Sequence, residues 1–344
     1  MDYRLEGLLE KTAYKIVGTE PVLARLRHTR LSKKAVVLRY HELSHDDEDI
    51  AAWTVVRKSN FIEQMEYLVE HFHVLSLDEA FYRVHHPETI EDRKPIAVVT
   101  FDDGYRGNHT ILLPIVEAMR LPVTIFVATR SVQDQMLYWD ALLVNALQRS
   151  HRLTIDLRED ALGRYEINPT TGPRKWEEMD RLLTDLKNLQ PGARETVMRK
   201  LLSRPDLQRH GDYTAFAPLS LTELKKLASC PLVSLEAHSH CHNILTQLSE
   251  AEIANSVATS KQLLESWTGR PVNYFAYPNG DHDKRVINLV QRLGFKGSVI
   301  TAARPWDGSQ SPQMIPRVGI GRYDSLENFK IKVSSGGIRA LFSS

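Results

Sequence analysis

The sequence predicts an α/β fold whose parallel strands close into a barrel, and three observations carry that prediction. Short apolar runs, rich in β-branched residues and nearly continuous in apolarity, recur along the chain as buried parallel strands require. Segments with helical periodicity separate them, and strand, helix, strand repeated about eight times implies one parallel sheet. No Gly-rich phosphate loop follows any run, which counts against an open dinucleotide-binding or P-loop sheet.

Taken in order, residues 1–34 form an N-terminal segment. It holds a short amphipathic helix with Leu5, Leu8 and Leu9 on one side, followed by the basic run ARLRHTRLSKK. That run could touch an anionic membrane, but a solvated helix docked on its own domain is the favoured reading, because charge runs are usually exposed faces. The barrel is expected over 35–325, with strands at AVVLRY, HVLSL, PIAVVTF, PVTIFVA, PLVSLEA, VNYFAY, KGSVIT and IPRVGI. Asn60 with Glu63, Ser220 with Glu223 and Ser249 with Glu252 match capping-box spacing, so each is expected to open a helix. Phe61, Met65, Leu68 and Val69 make one stripe, and Gly269 and Gly294 sit where helices stop. Residues 131–217 break the rhythm with polar, helical stretches interrupted by Pro and Gly, and are expected to form an inserted helical cap. Residues 326–344 are a C-terminal helix and tail.

Bulk numbers exclude more than they identify. The 344 residues are 42% apolar and 25% charged, as in a globular enzyme. Lys plus Arg (44) against Asp plus Glu (43) leaves a charge of +1 and no field to attract nucleic acid. Cys230 and Cys241 make no disulfide framework. The opening MDYRLEGLLEKTAYKIVGTE lacks the apolar core of an export signal, so a cytoplasmic protein is expected.

Active sites of parallel barrels lie at the carboxyl ends of the strands, and four such ends are chemically rich. PIAVVTF ends in Asp102-Asp103-Gly104, PLVSLEA in His238-Ser239-His240-Cys241-His242, AVVLRY in His41, and VNYFAY in Pro278-Asn279-Gly280. Two adjacent carboxylates at a strand end need a cation or proton to relieve their repulsion, unless one merely caps a helix and the other faces water. His238 and His242 can face one ion if the first ends the strand and the second lies in the turn beyond; otherwise backbone carbonyls satisfy them. His240 then points away, and Cys241 is read as a small packed residue. One Asp and two His leave a vacant fourth position, as in a catalytic zinc site, with the second Asp free to act as base.

TFDDGYRGN, HSHCH and FAYPNG together resemble the polysaccharide deacetylase family, carbohydrate esterase family four, over roughly 35–130 and 219–320. The resemblance implies a distorted (β/α) barrel of about seven parallel strands, with Asp102 as catalytic base and Asp103, His238 and His242 as metal ligands. Zinc is the expected ion, another divalent transition metal being the alternative. The family's general acid is normally a late histidine, yet no histidine follows His282. Tyr40-His41 instead resembles a permuted branch that includes biofilm poly-N-acetylglucosamine deacetylases, which assigns the acid to His41. Arg317 resembles a late Arg motif and would hold Asp102 ionised by a bidentate contact; an ordinary surface arginine is the other reading. Backbone N–H groups along Tyr277-Pro278-Asn279 are expected to stabilise an oxyanion. Trp139-Asp140 matches a pair in related deacetylases and is read as a cap anchor. The departures are Gly107-Asn108, where the family carries an acidic residue, and Glu236-Ala237, where Gly-Ser is common.

These residues point to a hydrolase that removes N-acetyl groups from a saccharide, with a cytoplasmic or lipid-linked precursor as the expected substrate. A catalytically silent carbohydrate-binding protein and a hydrolase of another acyl ester or amide are the rival classes.

Overall fold

The computed structural model describes residues 18–48, 50–89, 94–148, 152–168, 173–207 and 216–337. From the N-terminus come α1 (Glu20–Leu31), β1 (Ala35–Tyr40), β2 (Glu42–Ser44), β3 (Val55–Arg57), α2 (Lys58–His71), β4 (His73–Val74), α3 (Leu77–His85), β5 (Ile96–Phe101), α4 (Leu113–Met119) and β6 (Val123–Val127). There follow α5 (Thr129–Asp134), α6 (Trp139–Gln148), β7 (Leu153–Asp156), β8 (Arg164–Ile167), α7 (Pro173–Lys187) and α8 (Pro191–Leu202). The chain returns through α9 (Leu221–Ser229), β9 (Val233–Ala237), α10 (Glu250–Thr268), β10 (Tyr274–Ala276), α11 (Lys284–Arg292), β11 (Gly297–Thr301), β12 (Ile315–Gly319) and α12 (Leu326–Ser335).

Each of the eight predicted runs forms a strand of one sheet, in the order β1-β12-β11-β10-β9-β6-β5-β4, and β1 also pairs with β5. Seven parallel strands therefore close into a barrel, with β4 outside the ring on β5. Alternation along the strands divides their side chains. Val36, Leu38 and Tyr40 of β1 and Ala97, Val99 and Phe101 of β5 pack outward under the helices. Ala35, Val37, Ile96, Val98, Phe126, Tyr274, Ala276, Val299 and Ile315 fill the interior together with Leu77, Ala80 and Val84 of α3. The interior is thus apolar at the strand amino ends, and the same alternation sends Arg39, Thr100, Asp102 and Arg317 inward near the carboxyl ends.

Ser220 and Ser249 make the expected capping boxes with Glu223 and Glu252, and Gly269 closes α10 at φ +66°. Asn60 does not cap a helix: β3 runs directly into α2, Arg57 occupies the cap position, and Asn60 falls inside the first turn. Val69 is 46% exposed, and the buried stripe of α2 passes instead through Phe61, Met65 and Leu68 with Gln64 and Tyr67. Leu5, Leu8 and Leu9 lie outside the described residues. The basic run falls largely in α1, which buries Leu23, Arg27 and Leu31. The Arg27 guanidinium donates to Tyr67 Oη (2.6 Å) and Ser334 Oγ (3.2 Å) and contacts Glu20. Among the described residues no helix is long and apolar enough to cross a membrane.

Residues between β6 and α9 build a second core from Leu143, Val144 and Leu147 of α6, Met179, Leu182 and Leu186 of α7, and Val197 and Leu201 of α8. This cap also contains an antiparallel pair, β7 with β8, where only helix was expected.

Candidate active site

Asp102 and Asp103 follow β5 directly, and the turn separates their duties. Asp102 continues the strand's inward alternation, and Arg317 of β12 meets it with two parallel hydrogen bonds, Nη1 to Oδ1 (2.6 Å) and Nη2 to Oδ2 (2.7 Å). Arg317 is 1% exposed, so it is no surface arginine. Its Nη1 also donates to Thr100 Oγ1 (3.1 Å), and the guanidinium lies 5.4 Å from the Phe126 ring centre. Burial pushes the Asp102 carboxyl up, but Arg317 and His238 outweigh it and hold the group below its ordinary range.

Asp103 turns away at φ +77° to face His238 and His242. Its Oδ1 lies 3.4 Å from His238 Nε2 and 3.1 Å from His242 Nε2, and all three side chains are buried. Burial opposes ionisation of Asp103, yet the His242 charge and hydrogen bonds from both imidazoles hold it well below the carboxylate range. Conversely, burial lowers His242 and Asp103 more than restores it, so its pKa is raised. His238 Nδ1 lies 2.8 Å from the Ala276 carbonyl, which fixes Nδ1–H as donor and leaves Nε2 facing Asp103.

These three donors fit a divalent metal. They lie within 4.8 Å of one another, and tetrahedral ligands held at about 2.05 Å stand roughly 3.3 Å apart, close to both measured separations. His238 ends its strand as expected, and His242 reaches back because Ser239 (φ +64°) and His242 (φ +53°) adopt left-handed backbone. Such conformations cost on the order of 1–3 kcal/mol each in non-glycine residues and gather where function holds them. His240 points away, its Nδ1 2.9 Å from Thr129 Oγ1.

His41 opens onto the same cavity, 6.3 Å from Trp53 ring to ring. Withdrawal from solvent and the adjacent Arg39 charge lower it to about 4, so it is neutral at neutral pH, and its Nδ1 is a buried atom without a partner. The departure at Gly107-Asn108 has a physical reason here. Asn108 Nδ2 donates to the His41 carbonyl (3.3 Å) and Gly107 N–H to Glu42 Oε2 (3.2 Å), while a Cβ at Gly107 would stand 1.9 Å from Glu42 Oε1. The other departure, Glu236, is buried and accepts the Asn273 (2.8 Å) and Tyr274 (2.7 Å) N–H groups, joining β9 to β10. Burial raises it to about 7.

The segment Tyr277-Pro278-Asn279 is only partly at the site. Asn279 lines the cavity at φ +60°. Tyr277 is fully buried elsewhere, donating its hydroxyl to the Gln313 carbonyl (3.2 Å) and its N–H to the Val299 carbonyl (3.5 Å), and Pro278 has no N–H to give. Neither is available to an oxyanion. Several cavity residues escaped the sequence reading. Arg39 was findable, since it stands two residues before His41 on the same strand face. Tyr105 was findable too, since it lies two residues beyond Asp103 within TFDDGYRGN, whereas Trp53, Trp176 and Phe216 were not, because only tertiary packing brings their elements to the cavity. Tyr138, which does not line the cavity, packs on His242 with its ring tilted 36° at 4.6 Å.

The sequence matches the family described as Polysaccharide deacetylase over residues 89–167 and 208–298, which include Asp102, Asp103, His238 and His242. No curated protein sequence matches the chain. Among solved structures, the Streptococcus pyogenes deacetylase PplD in complex with acetate superposes with a TM-score of 0.58 at 17% identity, over 87% of this chain and 98% of that one. IcaB from Ammonifex degensii gives 0.55 at 15% identity over 88% and 97%. BC0361, a polysaccharide deacetylase from Bacillus cereus, gives 0.55 at 16% over 87% and 69%. At these identities the likeness is one of fold.

Proposed function

Because this chain belongs to the polysaccharide deacetylase family, we propose that it is a metal-dependent enzyme removing N-acetyl groups from a saccharide, with Asp103, His238 and His242 holding a zinc-class ion. One observation carries this reading: a buried Asp-His-His set stands beside a second carboxylate that a buried arginine keeps ionised. A binding module needs no base beside a metal site.

A bound ion of this class supplies Lewis acidity toward the acetyl carbonyl and lowers the pKa of water to about 7. Asp102, ionised through Arg317, accepts the proton of the attacking water. Arg317 is spent on that task, with both terminal nitrogens engaged, so it orients the base and does not contact the substrate. As negative charge builds on the carbonyl oxygen, neutral His41 gains affinity for a proton. It then passes that proton to the leaving nitrogen, since an amine is a poor leaving group until protonated. His41 draws its proton from solvent and Asp102 returns to solvent the one it took from water, so the protons balance and the cycle yields acetate and a free amino sugar.

Acetate release from N-acetylated saccharides tests the reading. Wild-type protein should release acetate, lose the activity after chelation and regain it with zinc; release unaffected by chelation would overturn it.

A further inference from the structure

The cavity that touches Asp103, His238 and His242 does not end at the barrel. About 270 Å3 in volume, it runs to the inserted cap, where one face of α7 forms its far wall. Trp176, Asp180, Thr184 and Lys187 recur on that face at helical spacing, while Met179, Leu182 and Leu186 on the adjoining face belong to the cap core. Trp176 packs one side against that core and leaves the other to the cavity. Asp180 is exposed at the cavity wall, its pKa raised by partial withdrawal from solvent against the pull of Lys187, and among the described residues its side chain makes no hydrogen bond.

This wall is fixed to the catalytic loops. Lys187 Nζ meets Asp281 Oδ2 at 3.0 Å, and the Lys187 carbonyl accepts from Gln247 Nε2 at 3.0 Å. Gln247 follows His242 and Asp281 follows Asn279, so the loops that carry the metal site also hold the end of α7 in place.

We propose that this face of α7 is a distal saccharide subsite: Trp176 stacks on the apolar face of a second sugar ring and Asp180 accepts from its rim hydroxyls, while the acetylated ring sits at the metal centre. A pyranose offers an apolar face bordered by hydroxyls, and a half-exposed ring with a carboxylate one turn away is complementary to both. The substrate class is therefore a chain of two or more sugars. Binding energy gained at the distal ring is available to orient the reacting one. The inference rests on the deacetylase reading for the ring at the metal and on the cap geometry for the other.

The test compares N-acetylglucosamine with its β-1,4- and β-1,6-linked tetramers, by acetate release and by calorimetric binding, in wild type, Trp176→Ala and Thr184→Trp. The second variant fills the subsite and leaves Trp176 in its packing, which guards against a folding defect in the first. At least one tetramer should exceed the monomer in kcat/KM and in affinity by about tenfold, and both variants should bring the ratios near one. Equal ratios in wild type and variants, or a wild type that handles the monomer as well as both tetramers, overturn the subsite. Tetramer binding that depends on Trp176 without any acetate release would sustain the subsite and sink the deacetylase reading. Absence of tetramer binding would remove the subsite alone.

Discussion

At the carboxyl ends of the barrel strands, charged side chains are buried and nearly every one is held. Asp102 meets Arg317 at 2.6 and 2.7 Å, Asp103 faces two imidazoles, and His238 is oriented by the Ala276 carbonyl. Across the cavity the cap helix offers Trp176 partly exposed, and Asp180 with no hydrogen bond among the described residues. The first region can burden the fold with buried charge because its geometry is closed by partners; the second leaves groups free because a ligand can take them up. On this reading the barrel side does the chemistry and the cap side selects, and substitutions should separate the two.

Asp103→Asn should have the largest effect. Loss of an outer-shell partner alone costs a metal site about 10–100-fold, so losing a ligand should cost more than about 100-fold in acetate release, together with the metal. Asp102→Asn should lower kcat by roughly 100- to 10,000-fold while the protein still binds metal, because a base is lost and no ligand is. Retained activity in Asp102→Asn would move the base elsewhere.

Arg317→Met breaks the comparison differently. Removing one partner of a buried pair costs about 3–5 kcal/mol, visible as a lower denaturation midpoint. Asp102 has its pKa depressed in the folded state, so its contribution to stability is present above the ordinary aspartate value and is lost as pH falls through the depressed one. Without Arg317 that pKa rises, and the acid limb of the kcat/KM profile should move to higher pH. An unmoved limb would show that Arg317 does not tune the base.

The barrel was legible in the sequence where burial is two-sided. All eight strands read as continuous apolar runs because both of their faces are covered. β7 and β8 of the cap were missed, since four residues of alternation in LTID and RYEI are too few to outweigh the polar helical stretches around them. The metal residues were legible as strand-end motifs, whereas the left-handed backbone of Asp103, Ser239 and His242 that aims them is written in no local pattern. Tyr277 was misplaced for a different reason: a backbone N–H at a strand end reads as open to an oxyanion until strand pairing shows it on the Val299 carbonyl.

The smallest effect is expected at Glu236, inside the barrel and away from the reacting atoms. Its folded pKa of about 7 exceeds the ordinary glutamate value, so the native state holds a proton that the unfolded chain has released. Stability should therefore fall as pH rises from about 4.5 to 7. Glu236→Gln, which mimics the protonated form, should flatten that fall by a few degrees in Tm. An identical pH slope in variant and wild type would mean that the hydrogen bonds from Ser234, Asn273 and Tyr274 to Glu236 keep it ionised.

The metal site is tested by the ion content, by mass spectrometry, of protein purified without added metal, wild type against His238→Ala. About one zinc-class ion per chain, lost in the variant, is the predicted result. Neither protein holding metal, even after zinc is added back, would contradict the account.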